Sequence, residues 1–176
     1  MTMRDLTGPT QGRAIRDLLQ GLLIAEILQP SDPLWILSGW ISDVPLLDNR
    51  AGQFSGAVPS WPQTWITLSG ALHTLVRKGG SIAIVLREVE HNLPFINRMA
   101  ALSALFPGQV RVAATASFHE KGIVGSDYDI SGSMNLTHSG IQVNDEHLIY
   151  RTDPSIVAER RITLDLNWAP RFHAPN

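Results

Sequence analysis

The chain of 176 residues contains no cysteine, which excludes a disulfide-stapled fold, thiolate metal sites and thiol catalysis. Lysine is almost absent too, with only Lys78 and Lys121 against twelve arginines. Neither sign of charge dominates: 14 basic and 16 acidic residues give a net charge of −2, so there is no polybasic tail to attract a polyanion from a distance. Any phosphate site must be local. Charged residues are 17% of the chain and hydrophobic ones 44%, a balance that reserves surface for a core or a partner. Long apolar runs are missing as well. The most apolar stretch, Leu18 to Leu28, is broken by Gln20, Gly21 and Glu26 and falls short of the ~20 residues that span a bilayer. The first residues, MTMRDLTGPTQGR, carry no apolar secretion signal, so the expectation is a cytoplasmic protein with no membrane partner. Length predicts one domain over 1–176.

What is present alternates. Ala14/Ile15, Leu18/Leu19, Leu22/Leu23 and Ile27 recur every three to four residues, predicting an amphipathic helix that starts near Thr10 and stops at Pro30 and Pro33. Leu34 to Ile41 reads as a buried strand, with Trp35 and Trp40 as core. Leu47 to Pro62, rich in Gly, Ser, Pro, Asn and Gln, reads as a surface loop long enough to be a substrate-facing flap. Helix (about 65–78), strand (81–86), helix (about 93–105) and strand (110–113) follow, and this alternation predicts an α/β fold with a largely parallel sheet. After Thr115 come closely spaced strands, Ser117–Val124, Tyr128–Ser133 and His147–Tyr150, and then a helix at about Ser155–Trp168.

The chemistry-bearing stretch runs from Phe118 to Thr137. On a strand, His119 and Lys121 would share a face and Glu120 would point away. Ser133 and Asn135 recur together in Gly132-Ser-Met-Asn135, at the mouth of a short helix. With six histidines and two lysines, about 0.07 chance His-x-Lys pairs are expected before any downstream motif is required.

The pattern His119-x-Lys121 followed by Gly132-Ser133-x-Asn135 resembles the HKD motif of the phospholipase D superfamily. Glu146, eleven residues after Asn135, matches the glutamate that small nucleases of that superfamily carry before a strand. The resemblance covers roughly residues 10 to 170 and implies an α-β-α sandwich around a central mixed, largely parallel sheet. It departs at the motif's aspartate, whose place, seven residues after His119, is taken by Ser126; Asp127 and Asp129 are nearby alternatives. Weaker likeness, as in Gly39-Trp-Ile-Ser-Asp43, is to short phospholipase D-like proteins of bacterial DNA-modification and phage-defence clusters, whose partner subunits are then implied too.

The resemblance implies a metal-independent phosphodiesterase, most simply a DNA endonuclease, with no cofactor. Lys121, Asn135 and Ser133 would hold the phosphate oxygens, His119 would attack phosphorus, and Glu146 would orient its imidazole. One motif supplies one histidine, so a homodimer placing two copies of His119 at a shared cleft is implied, one as nucleophile and one as acid. Two other functions remain open: hydrolysis of a phospholipid or small phosphodiester, and a non-catalytic nucleic-acid-binding subunit.

Other residues are candidates of lower rank. Ser42 and Asp43 sit at a strand's carboxyl end, where α/β sheets bind ligands, and Ser126 and Asp127 flank the motif, so all four are candidate substrate contacts. His119, Glu120, His138, Asp145, Glu146 and His147 can be read as metal ligands, but no pair has the spacing of one helical face, and the expectation is no metal. No Gly-x-Ser-x-Gly elbow is present. Trp61 and Trp65 suit loop packing better than base stacking, and the arginines read as scattered surface charge.

Overall fold

The computed structural model describes residues 3–7, 12–142 and 146–172. The helix start assigned to Thr10, the candidate ligand Asp145, and His173 lie outside the described residues. In chain order the elements are β1 (Met3–Thr7), α1 (Gly12–Leu28), β2 (Leu34–Ser38), β3 (Pro45–Asp48), β4 (Trp65–Thr67), α2 (Leu68–Arg77), β5 (Ile82–Arg87), α3 (Leu93–Leu105), β6 (Val110–Thr115), β7 (Gly122–Val124), β8 (Asp129–Gly132), α4 (His138–Gln142), β9 (His147–Arg151) and α5 (Pro154–Trp168).

Each long helix follows from local chemistry. Ile15, Leu19, Leu23 and Ile27 recur every four residues and bury the inner face of α1, each worth about 1.5–3 kcal/mol in burial. Thr67 caps α2 by accepting the N–H of Gly70, and the helix stops where Gly79 takes φ +96°, a conformation that suits glycine. Asp153 accepts the N–H groups of Ser155 and Ile156 at the start of α5, where Pro154 needs no hydrogen-bond partner of its own.

Seven strands form one sheet in the order β1-β9-β8-β7-β2-β5-β6. Pairing is parallel across β2-β5-β6 and antiparallel elsewhere, so five strands run one way, and β7 and β9 run against them. The mixed, largely parallel sheet is flanked by helices, as the α-β-α expectation required. The alternation of β5 shows how it is packed: Ile82, Ile84 and Leu86 face α1–α3, whereas Ala83 and Val85 join Trp35, Leu37 and Ala113 under Leu164 and Trp168 of α5.

Three expectations need correction. The stretch read as loop from Leu47, and as helix from Trp65, contains the β3–β4 hairpin, a separate two-stranded sheet. The connection inside it is no flap over the motif. Trp61 donates through Nε1 to Thr74 Oγ1 at 2.9 Å, and Lys78 Nζ donates to Ala57 O at 2.9 Å, pinning the loop to the carboxyl end of α2. Lys78 leads into the start of β5, so this loop sits at the sheet end opposite to where β5 finishes. Finally, the strand expected over Ser117–Val124 spans only Gly122–Val124, leaving His119 and Lys121 on the connection from β6.

Candidate active site

The carboxyl ends of β2, β5, β6 and β8 and the amino ends of β7 and β9 all meet at one edge of the sheet. Beyond β2 the chain bends at Gly39-Trp40 and is held there by fully buried side chains. Asn92 Nδ2 donates to Gly39 O at 2.9 Å and Arg87 O at 2.7 Å, while its Oδ1 accepts the N–H of Ile41 at 2.9 Å. Ser38 Oγ donates to Trp40 O at 2.6 Å and accepts the N–H of Leu136 at 3.0 Å. These contacts bind the end of β2 to the loops after β5 and β8, with no polar group of either side chain wasted in the interior.

His119 enters from the β6–β7 connection. Phe118, 5% exposed, packs edge-on against Trp168 at 5.4 Å, anchoring the residue before His119 in the core beneath α5. Arg160 of α5 donates to Glu120 Oε2 at 2.8 Å on the other side of it. The His119 ring is exposed and stands T-shaped to Trp40 at 6.2 Å. Lys121 Nζ donates to the carbonyl of His119 at 2.6 Å, so the ammonium is held by the backbone of its own motif and not by a shared strand face.

Ser133, Asn135 and Glu146 come to the same edge. Gly132 donates to the carbonyl of Lys121 at 3.4 Å, joining the end of β8 to the motif lysine. Ser133 Oγ donates to Glu146 Oε2 and accepts the N–H of His147 at 3.0 Å. Asn135 Oδ1 accepts the N–H of Trp40 at 3.1 Å. The five motif residues are thus linked through Trp40, Lys121 and the β8–β9 ends into one surface of exposed and half-buried polar groups. Among the described residues, no three His, Asp or Glu side chains group in a way that could hold a metal ion.

The other candidates sort by position. Ser42 Oγ lies 2.9 Å from His91 Nε2 on the rim of this edge. Asp43 is engaged elsewhere: its carboxylate accepts the N–H and Oγ–H of Ser69 at 2.8 Å each and pairs with Arg98 at 3.5 Å, docking the amino end of α2. Ser126 and Asp127 lie on the β7–β8 turn at the opposite end of the sheet, where Ser126 N donates to Ser31 Oγ at 2.7 Å. They do not join the cluster around His119. Asp129, 3% exposed, is the aspartate built into the fold, paired with Arg151 at 2.8 Å.

Sequence reasoning missed Trp40, Arg87, His91 and Asn92. Trp40 was assigned to the core by its apolar strand, yet it is half-buried against His119, with the Arg87 guanidinium 5.2 Å over its ring. The available signal is position, because Arg87 ends β5 and Trp40 follows the end of β2, at the carboxyl ends of parallel strands where α/β sheets gather their sites.

Residues 52–168 match the family described as "Cardiolipin synthase, PLD-like domain". Among solved structures, the fold is similar to Nuc from Salmonella typhimurium, described as a phospholipase D family member (TM-score 0.60, 14% identity, 97% of this chain and 93% of that one). It is also similar to NucT from Helicobacter pylori (TM-score 0.57, 12% identity, 92% and 91%). A third likeness is to TrmBL2, described as an archaeal chromatin protein with a novel mode of DNA binding (TM-score 0.51, 12% identity, 99% and 55%). No curated protein matches the chain.

Proposed function

The chain belongs to the phospholipase D-like domain family, and from that premise we propose that it is a metal-independent phosphodiesterase, a cytoplasmic DNA endonuclease working as a homodimer. The observation that carries this reading is the meeting of His119, Lys121, Ser133, Asn135 and Glu146 at one edge of the sheet.

A phosphodiester anion repels nucleophiles, so its non-bridging oxygens must be neutralised before attack. Lys121 and the Asn135 amide, with Ser133, supply that field. An imidazole nitrogen of His119 then bonds to phosphorus while the P–O bond to the leaving alcohol breaks. The proton for that oxygen comes from His119 of the second subunit. Water next attacks phosphorus, the P–N bond breaks, and the second histidine takes the water's proton. Glu146, held by Ser133, orients the motif's imidazole. No helix among the described residues is long and apolar enough to cross a membrane.

The test is cleavage of plasmid and single-stranded DNA in excess EDTA, comparing the wild-type chain with His119→Ala. Cleavage that survives EDTA and disappears in the variant is expected. Activity in His119→Ala equal to wild type would overturn the assignment. A second reading, a non-catalytic DNA-binding subunit of a defence or modification system, is favoured by one observation, Ser126 in place of the motif's aspartate. It predicts DNA binding in gel shifts with no cleavage and no sensitivity to His119→Ala.

A further inference from the structure

At the opposite end of the sheet from His119, α1 and the β7–β8 turn enclose a cavity of about 580 Å³. Its lining combines two chemistries. Leu22 and Leu28 of α1 give it apolar walls, while Glu26, Asp127, Tyr128 and Tyr150 supply carboxylates and aromatic rings. Glu26 is 3% exposed, and no cation is paired with it among the described residues. Its oxygens each accept one hydrogen bond from Ser31, Oε2 from the backbone N–H and Oε1 from the hydroxyl, both at 2.8 Å. The two oxygens together accept four, so Ser31 and the adjacent Tyr128 hydroxyl leave at least one direction over. Tyr128 is 4% exposed, and its hydroxyl stands beside the Glu26 carboxylate without a well-aligned hydrogen bond among the described residues. Burial and the Glu26 carboxylate beside it push its ionisation well above the ordinary range, so the phenol stays neutral. Gly125 makes this juxtaposition possible, since a Cβ there would overlap the Tyr128 ring and come within 2.7 Å of Glu26 Oε1. The Tyr128 and Tyr150 rings lie 6.3 Å apart at 40°.

A buried carboxylate without a counter-charge is costly, and a second carboxylate of the same sign, Asp127, stands exposed at the rim. A positive partner would offset that cost. Apolar walls and ring faces cannot ligate a metal ion, but they suit the carbon skeleton of an organic cation, whose charge is attracted to aromatic faces. We propose that this cavity is a binding site for a small organic ammonium ion, held between the Glu26 and Asp127 carboxylates and the Tyr128–Tyr150 pair. A primary amine would donate N–H bonds to Glu26 and meet the Tyr128 hydroxyl. A quaternary ammonium would rest on the ring faces.

The test uses the full chain and two probes, butane-1,4-diamine and tetramethylammonium chloride, in calorimetric titrations at ionic strength matched with potassium chloride. Saturable binding of at least one probe is expected, weakened about tenfold by Glu26→Gln and about threefold by Asp127→Asn. Diamine alone binding identifies N–H donation as the recognition mode; tetramethylammonium alone identifies the rings. Asp127 is exposed, so Asp127→Asn keeps the test decisive if Glu26→Gln does not fold. Neither probe saturating, equal affinity in the variants, or magnesium chloride saturating the site where both amines fail would overturn the proposal. The readout is binding, so its failure leaves the phosphodiesterase reading untouched, and loss of hydrolysis leaves the cavity untouched.

Discussion

Asn135 Oδ1 accepts the backbone N–H of Trp40 at 3.1 Å, joining residues 95 apart in the chain. Because an N–H must point at an oxygen, this bond fixes the amide's orientation and leaves Nδ2 available to donate toward an anion. Asn135→Asp keeps the acceptor for Trp40 but exchanges the donor for a negative charge. Hydrolysis should fall by roughly 10²–10³, the usual loss for one oxyanion donor, while the melting temperature stays close to wild type. A fall in melting temperature matching the loss of activity would mean that Asn135 serves the fold alone.

The pair behind the motif strands supports them by charge. Asp129, with a side chain 4% exposed, binds Arg151 at 2.8 Å, and the same guanidinium nitrogen donates to Ser131 Oγ at 2.6 Å. Arg151→Met leaves a buried carboxylate without its partner and should cost about 3 kcal/mol in urea denaturation. Adding Asp129→Asn to that variant should recover most of the loss. A double variant no better than the single one would show that the ion pair is not the source of the effect.

How much of this was legible in the sequence depended on the range of the interaction. α1, α3 and α5 announced themselves through periodicity and punctuation, such as the Pro107-Gly108 that follows α3, because those signals lie within a few residues. The strand β1 did not: Arg4 and Asp5 break any apolar pattern, and the strand exists through pairing with β9, whose residues lie 140 to 148 positions away. The β3–β4 hairpin hid for the same reason, its partners Asp48 and Trp65 being separated by a loop of turn-forming residues. At the site, His119, Lys121, Ser133, Asn135 and Glu146 were found by spacing, but their setting was not. Three hydrogen bonds made by the Asn92 side chain, two donated and one accepted, tie the end of β5 to Gly39 and Ile41, where Arg87 lies over Trp40 and His91 against Ser42, and no local pattern encodes those contacts.

A pH titration tests the electrostatics of the hairpin. Arg50 donates to both oxygens of Asp48 through Nε at 2.9 Å and Nη2 at 2.8 Å, holding that carboxyl down at about 2 instead of the ordinary 3.8. A lowered folded-state value means that the stabilisation is complete above the ordinary value and is lost as pH falls from 3.8 toward 2. NMR titration should place the Asp48 midpoint near 2 and return it toward 3.8 in Arg50→Gln. Because the pair is exposed, concentrated salt should also raise the midpoint. An unchanged midpoint in Arg50→Gln would remove the guanidinium as its cause.

The proposed mechanism needs two histidines where the motif supplies one, and subunit mixing decides whether the second comes from another copy. If both copies of His119 act in one cleft, a mixed dimer of wild type and His119→Ala lacks either the nucleophile or the acid. Equal amounts mixed under exchanging conditions leave about a quarter of the dimers fully wild type, so total activity should fall to about a quarter of that of the same amount of wild-type protein. Independent monomers would retain about half. Light scattering on the same samples supplies the companion value, about twice the chain mass of 19.3 kDa. A monomer that retains half the activity would move the general acid into the same chain. A titratable group on the rim that could take that role is His91, whose Nε2 lies 2.9 Å from Ser42 Oγ.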